Sequence, residues 1–294
     1  MSDVDSTPPV VSGTPEEIAR GVYVIPDGRI PLVPNIGVIL GEERALVVDT
    51  GMGPESGRRV RAAADRLAGT RELILTVTHF HPEHGFGASA FADATIVYNA
   101  AQRDEFRAKA AGYLEMFRTF GDDVAAALEG VELIEPTQVY DGEASSLELG
   151  ERLVELRTWG QAHTLADQVV FLPEERILFT GDLVEESCFA IVPYFPPDDT
   201  DVDGERWIAV LEQLEALEPE VVVPGHGGIG GASVIGDARE YLVSLRDETR
   251  RLKAGGTPVE AAVEKLDAQM RSLHPDWLQP EWIGFGVRHF YDAD

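Results

Sequence analysis

Three of the chain's seven histidines fall within six residues, in Thr78-His79-Phe80-His81-Pro82-Glu83-His84, with a carboxylate between the last two. Neutral imidazole and carboxylate are ligand types that suit Zn²⁺, Fe and Mn. In an extended segment, residues two apart point the same way, so His79 and His81 can grip one ion. Pro82 disfavours helix at His81 and keeps the segment extended. Glu83 and His84 then lie past the bend, placed for a second ion or a bound water. The apolar run Leu73-Ile74-Leu75-Thr76-Val77 before the motif reads as a buried strand. Gly85 and Gly87 follow, where a backbone must pass close to something, and Phe86 between them is a candidate pocket wall. The motif therefore sits on a loop at a strand's C-terminal end, where sites in α/β proteins usually lie.

A two-metal site needs more ligands than one loop holds, and three further candidates each end a predicted strand. His163 lies in Gly160-Gln161-Ala162-His163-Thr164, Asp182 in Phe179-Thr180-Gly181-Asp182, and His226 in Pro224-Gly225-His226-Gly227. Glycines beside them allow close backbone approach. Gly225 to Gly230 also satisfies the G-x-G-x-x-G dinucleotide pattern, but it comes late, follows no βαβ opening and contains a histidine. Cys188 lies six residues after Asp182 with no dedicated base identifiable. His274 and His289 stand outside the pattern and read as structural. The loop Glu185 to Asp201 follows Asp182 directly and carries Phe189, Tyr194 and Phe195. It is placed to roof a pocket, and its aromatics favour a partly apolar substrate.

The elements that must position these residues fall into two strand-rich blocks, about 21–98 and 138–180, each followed by helices. The first block has strands at Gly21–Pro26, Asn35–Leu40, Arg44–Asp49, 73–77 and Thr95–Tyr98, with a helix from Pro54 to Leu67. Val47-Val48-Asp49-Thr50-Gly51 ends one of these strands on a carboxylate. Thr14-Pro15-Glu16-Glu17 has a capping-box pattern and predicts a short helical turn. From Ala101 to about Leu128 a helical stretch, broken at Gly112 or Gly121, repeats Phe106, Ala110, Tyr113, Phe117 and Phe120 at helical spacing, chiefly a core stripe. The second block is a meander of short strands, the last at Arg176–Thr180. Helices are expected at Asp203–Leu217, Val234–Leu252 and from the capping box Thr257-Pro258-Val259-Glu260 to about Gln269. A tail rich in Trp and Phe should pack on the body. The expected organisation is a disordered tail over residues 1–13 and one domain over 14–294, with a C-terminal helical extension over about 231–294. The strand blocks suggest an α/β fold with two sheets face to face and helices outside.

Composition narrows the partners. A formal charge of −28 over 294 residues argues against nucleic acid and against an anionic membrane surface. One cysteine excludes an internal disulfide framework, no secretory signal is visible, and no apolar run reaches membrane-spanning length. The expectation is a cytoplasmic protein acting on a small-molecule substrate.

Taken together, Val-Val-Asp49-Thr-Gly, the His79/His81/Glu83/His84 cluster, His163, Asp182 and His226 resemble, in order, the motifs of the metallo-β-lactamase superfamily. The resemblance spans about residues 21–228 and implies an αββα sandwich of two mixed sheets. It implies His79, His81 and His163 on one metal, Glu83, His84 and His226 on a second, and Asp182 bridging them. Asp49 would be a buried carboxylate orienting ligands. The chain departs from the family in carrying Glu83 where Asp is usual. Glu is one methylene longer, so the second site is shifted or differently occupied.

The chemistry implied is hydrolysis. One or two Zn²⁺ ions, with Fe or Mn as alternatives, would lower the pKa of a bound water towards about 7 and polarise a carbonyl. Glu83 or Asp182 would carry the proton. Substrates in view are an ester, lactone, thioester or lactam. Two alternatives remain on the same residues: a mononuclear iron persulfide dioxygenase, and a non-catalytic metal-containing binding protein.

Overall fold

In the computed structural model, which describes residues 7–293, the apolar runs of the first block become a seven-stranded sheet. Its strands are β1 (Glu16–Ala19), β2 (Val22–Ile25), β3 (Ile36–Leu40), β4 (Arg44–Val48), β5 (Glu72–Thr76), β6 (Thr95–Asn99) and β7 (Gln138–Tyr140), arranged in sequence order. Pairing is antiparallel from β1 to β4 and parallel from β4 to β7. Strands β3 to β5 are buried along nearly their whole length, as strands covered on both faces must be. Because β4 and β5 run parallel with Val48 opposite Thr76, Asp49 and Thr78 emerge side by side at one sheet edge.

Two compact units emerge from the contacts, Met1–Thr158 with Gln168–Glu175, and Trp159–Asp167 with Arg176–Asp294. In the first unit, helix α1 (Gly53–Ala68) buries Val60, Ala63, Ala64 and Ala68 on one stripe, against a core that includes Val38, Val47 and Leu75. Strands β8 (Ala144–Glu148), β9 (Leu153–Arg157) and β10 (Val169–Leu172) form the antiparallel meander. Leu149, just after β8, lies so close to the β3–β4 turn that a Cβ on Gly41 would overlap the Leu149 carbonyl oxygen. The aromatic stripe lies on α3 (Ala100–Phe117). Phe106, Ala110, Tyr113 and Phe117 join Met52, Phe80, Phe86 and Leu128 in a second core cluster, while Phe120 is 46% exposed. The break before α4 (Asp122–Ala127) falls at Gly121, whose φ of 151° no helix continues; Gly112 stays helical.

In the second unit, β11 (Ile177–Glu185) and β12 (Val221–His226) pair in parallel. Strand β11 is longer than its expected end at Thr180, and all nine of its residues are buried. The second sheet is ordered β12-β11-β10-β9-β8, so both sheets are mixed and the α/β expectation of two mixed sheets with helices holds. Helix α5 (Gly204–Glu215) is capped by the Asp203 carboxylate, which accepts from the Arg206 N–H. Helices α6 (Ser233–Ala254), α7 (Val259–Leu273) and α8 (Ile283–Asp292) follow. Gly286 of α8 sits where a Cβ would lie 2.6 Å from Leu245 of α6, so the C-terminal tail is packed. Among the described residues no helix is long and apolar enough to cross a membrane.

Two local expectations are corrected. The Thr14–Glu17 pattern does not open a helix: Glu16–Ala19 is strand β1, with Glu16 opposite Val24. The Glu17 carboxylate that would close a capping box instead accepts from the Gly21 N–H at 2.9 Å, and pairing with β2 overrides the local signal. Helix α7 starts at Val259 with Pro258 at the cap and no side-chain cap bond, and Glu260 pairs with Arg288 rather than turning back. Of the expected tail, residues 1–6 lie outside the described residues. In the described remainder Val11 is buried, and its N–H donates to Ser56 Oγ.

Candidate metal centre

The His79–His84 loop leaves β5 extended and then makes one turn. His81, with φ −58° and ψ 150°, caps the four-residue helix α2 (Pro82–Gly85), and Pro82 occupies its first position. That turn brings His84 back towards His79, with ring centroids 4.2 Å apart; His79 and His81 are 4.6 Å apart. The loop is anchored from β4. Thr50 N–H and Oγ1 both donate to the His84 carbonyl, at 2.8 and 2.9 Å. A Cβ on Gly87 would lie 2.8 Å from the Thr50 carbonyl oxygen and from Gly57 Cα, so only glycine lets the chain pass there. Gly85 has no such crowding, its nearest neighbour being 3.9 Å away.

Asp49 organises the imidazoles. It adopts φ 66°, a left-handed conformation that Asp tolerates better than most residues. Its Oδ1 accepts from Thr78 N–H at 2.7 Å, and its Oδ2 accepts from Thr78 Oγ1 at 3.0 Å and lies 2.8 Å from His84 Nδ1. A carboxylate only accepts, so His84 carries its proton on Nδ1 and presents Nε2 as the ligand atom. Thr78 Oγ1, having given its proton to Asp49, accepts from His79 Nδ1 at 3.1 Å, which likewise leaves His79 Nε2 to coordinate. His81 stacks on Tyr113, centroids 5.0 Å apart and planes 20° from parallel. The sequence signal for Thr78 is a hydroxyl residue placed directly before the first histidine of the motif.

The remaining candidate ligands are His163, Asp182 and His226. His163 is fully buried, its ring centroid 5.3 Å from that of Trp207 in an edge-on arrangement, with Asp167 Oδ1 3.4 Å from its Nδ1. Asp167 also accepts from Thr164 N–H at 2.8 Å and Thr164 Oγ1 at 3.0 Å, so this carboxylate shapes the whole turn. It was missed in the sequence, although a carboxylate four residues after a candidate ligand marks such a turn. Gly181, at φ 54°, precedes Asp182 in β11. A Cβ on Gly225 would overlap Asp182 Oδ1 and lie 2.7 Å from Gly181 C, so Gly225 serves the carboxylate, not a pyrophosphate. His226 Nε2 stands 3.6 Å from Asp182 Oδ1. That is too long for a hydrogen bond and close to the ~3.4 Å between two ligands at about 2.1 Å from one tetrahedral ion.

Two groups of ligand atoms result. One atom each from His79, His81, His163 and Asp182 lie within 4.8 Å of one another, and so do one each from Glu83, His84, Asp182 and His226. All seven side chains are buried, and Asp182 belongs to both groups. Imidazoles and carboxylates converging at this spacing fit a divalent transition metal by donor type.

The aromatic residues expected around a pocket are engaged in packing contacts. Phe86 is 1% exposed and packs its edge on Phe106. Phe189 is also 1% exposed, inside a cluster of Tyr241, His274 and Trp277. Phe195 packs on Trp282 and Phe285, and Tyr194 donates its hydroxyl to Asp292. The Glu185–Asp201 loop is thus tied to the C-terminal segment, through Phe189 N–H to the Leu278 carbonyl and Leu278 N–H to that of Ser187. The reason is that Trp277, Trp282 and Phe285 need apolar cover, and this loop gives it. Cys188 is buried in the same pairing. His289 is buried and accepts the Gly204 N–H on Nε2 at 3.0 Å; burial lowers its pKa against the opposing pull of Asp203, Asp292 and Glu205.

The profile of the metallo-β-lactamase superfamily matches residues 29–226. The chain belongs to the metallo-β-lactamase superfamily. Acyl-coenzyme A thioesterase MBLAC2 of Bos taurus is 31% identical over 215 residues, covering 67% of this chain and 74% of that protein. A linear primary-alkylsulfatase of Pseudomonas sp. is 24% identical over 272 residues, covering 78% of this chain; the chain spans 49% of that relative's length. Among solved structures, the sec-alkylsulfatase Pisa1 from Pseudomonas sp. superposes with a TM-score of 0.74 at 14% identity, over 96% of this chain and 50% of that one. At that identity the likeness establishes the fold. With two ligand groups on this fold, the superfamily member described here is a metallohydrolase.

Proposed function

We propose that the chain hydrolyses an acyl thioester of the coenzyme A type, using one or two Zn²⁺ ions held by His79, His81, His163 and Asp182 and by Glu83, His84, Asp182 and His226. The observation that carries the hydrolytic part is the convergence of seven buried ligand side chains into two groups that share Asp182. The thioester part rests on the 31% identity to a protein named for that activity. A metal in these groups supplies an acidified water and polarisation of the thioester carbonyl.

The chain's own residues supply the rest. Asp49 and Thr78 hold His84 and His79 with their Nε2 atoms directed to the ligand groups. Asp182, wedged against Gly225, holds its carboxylate in place. Glu83 lies in the second group and would take the proton of the attacking water, then pass it to the sulfur of the departing thiolate as the C–S bond breaks. Its extra methylene over Asp gives the reach that such a proton carrier uses.

The test is hydrolysis of acyl-coenzyme A, followed by thiol release, against hydrolysis of aryl esters, lactones and alkyl sulfates, each followed by its own product, with metal content measured on the same sample. The reading expects thioester turnover to exceed the others and to vanish in His79→Ala with the fold retained. Sulfate release without thioester cleavage would overturn the substrate assignment, and oxygen uptake on a persulfide would overturn hydrolysis itself. Protein and coenzyme A are both anionic, so kcat/KM should rise as salt screens their repulsion.

A further inference from the structure

A buried polar network in the first unit lies behind the ligand loop and belongs to no metal group. Tyr140 of β7 donates its hydroxyl to Gln168 Oε1 at 2.6 Å. Burial holds this phenol protonated, its pKa well above the usual tyrosine value, so it donates and fixes which end of the amide is which. Gln168 Nε2 then donates to Thr76 Oγ1 at 2.8 Å and to the Val77 carbonyl at 3.1 Å. Thr76 passes its own proton to the Val97 carbonyl at 2.7 Å. From α3, Gln102 Nε2 donates to the same Val77 carbonyl at 2.8 Å. The Gln168 N–H donates to the Thr78 carbonyl at 2.8 Å, and the Asp49 N–H to that of Thr76 at 2.9 Å.

Three consecutive carbonyls, Thr76, Val77 and Thr78, are thereby pinned where β5 turns into the ligand loop. Gln168 and Gln102 are both fully buried. Among the described residues Gln102 Oε1 finds no hydrogen-bond partner, so that amide is retained for its donor end alone. The pinned segment ends on Thr78, whose hydroxyl and N–H set Asp49, His79 and His84.

We propose that Gln168, with Gln102 and Tyr140 supporting it, is a positioning residue for the metal loop: its amide fixes the β5 terminus from which Thr78 aligns His79 and His84. A network of this kind acts through ligand orientation, because a buried amide pair with satisfied donors has little freedom to let the strand end shift. The inference rests on the metal reading above but is independent of the substrate.

The experiment uses the full chain, stripped of metal and titrated with Zn²⁺ against a chromophoric chelator, and with Co²⁺ followed by visible absorption. Gln168→Met keeps the shape and removes every polar contact of the side chain. It is expected to weaken Zn²⁺ binding by about tenfold or more and to alter the Co²⁺ spectrum, while metal-free protein still unfolds cooperatively. Gln102→Met and Tyr140→Phe should each give a smaller change in the same direction. If Gln168→Met does not fold, Gln102→Met carries the test, because Val77 keeps the Gln168 donor. Wild-type Zn²⁺ affinity and Co²⁺ spectrum in the folded variants, with only the unfolding midpoint lowered, would overturn the positioning role alone. A wild-type chain that binds neither ion would overturn both this role and the proposed function.

Discussion

The two ligand-bearing regions hold their side chains by different means. Around Thr78–Gly87 the imidazoles are aimed by hydrogen bonds: Asp49 to His84, Thr78 to His79, Thr50 to the His84 carbonyl. Around Gly181–Gly227 close contact adds to backbone bonds such as Glu186 N–H to the His226 carbonyl at 2.9 Å. Asp182 is wedged against Gly225, and a Cβ on Gly227 would overlap the Glu186 carbonyl oxygen. Hydrogen-bonded positioning degrades in steps, because each bond contributes about 1 kcal/mol and neighbours compensate. Steric positioning is less graded, since packed backbone yields to an added carbon only by shifting, at a cost of about 1–3 kcal/mol. The comparison can be broken by substitutions on each side.

The largest effect is expected for Gly225→Ala. Its new methyl would overlap Asp182 Oδ1 and crowd Gly181, and overpacking of this kind costs about 3 kcal/mol or more where backbone must move. Both ligand groups share Asp182, so both should lose metal together. Metal analysis and urea unfolding of the variant check this. Retention of one full equivalent of metal at unchanged stability would show that contact is not what holds Asp182.

Asp49→Asn comes next. Asn tolerates the left-handed backbone at this position, so the substitution isolates the carboxylate. The amide cannot accept from Thr78 N–H, Thr78 Oγ1 and His84 at once, and His84 is freed to adopt the wrong tautomer. Metal affinity should fall by roughly 10–100-fold, with the fold retained. Thr78→Val sharpens the scale further. It removes the hydroxyl between Asp49 and His79 but keeps the Thr78 N–H bond, so a loss of about 1 kcal/mol, near fivefold in affinity, is expected. A Thr78→Val effect larger than that of Asp49→Asn would reverse the order of dependence between the two residues.

Legibility in the sequence followed the same division. The first loop was readable because its chemistry is contiguous: three histidines, a proline that sets the bend, and an apolar run that delivers them. His163, Asp182 and His226 were found singly, as polar residues at strand ends. What brought them to common groups was not visible, because Gly225 looks like any turn glycine until Asp182 is seen against it. Asp167 and Gln168 went unread for a related reason: their partners lie on other turns and strands, and a buried amide has no periodic signature. The aromatics of the Glu185–Asp201 loop have partners that the sequence does not display. Apolar rings beside a ligand suggest a pocket, yet Phe189 is committed to Tyr241 and Trp277 through pairing with a segment some 90 residues later. Thr14–Glu17 failed because a capping pattern is local and the partner strand β2 is not.

The smallest predicted effect lies outside both regions and tests whether they alone set the response to pH. His289 accepts the Gly204 N–H and is held neutral by burial, with its pKa below the ordinary value. A histidine whose folded pKa is depressed contributes stability that is fully present above its unfolded pKa of about 6.5 and is lost as pH falls through the folded value. His274, stacked on Trp277 at 4.0 Å, is shifted the same way by burial. Urea unfolding of metal-free protein at pH 8 and at pH 5.5 should therefore show lower stability at pH 5.5. His289→Gln should narrow that difference by about 1 kcal/mol, the worth of one buried hydrogen bond. Metal-free protein is required because metal binding is itself pH-dependent and would add its own contribution. Should the variant keep the full wild-type difference between the two pH values, the acid sensitivity belongs to groups other than the Gly204–His289 contact.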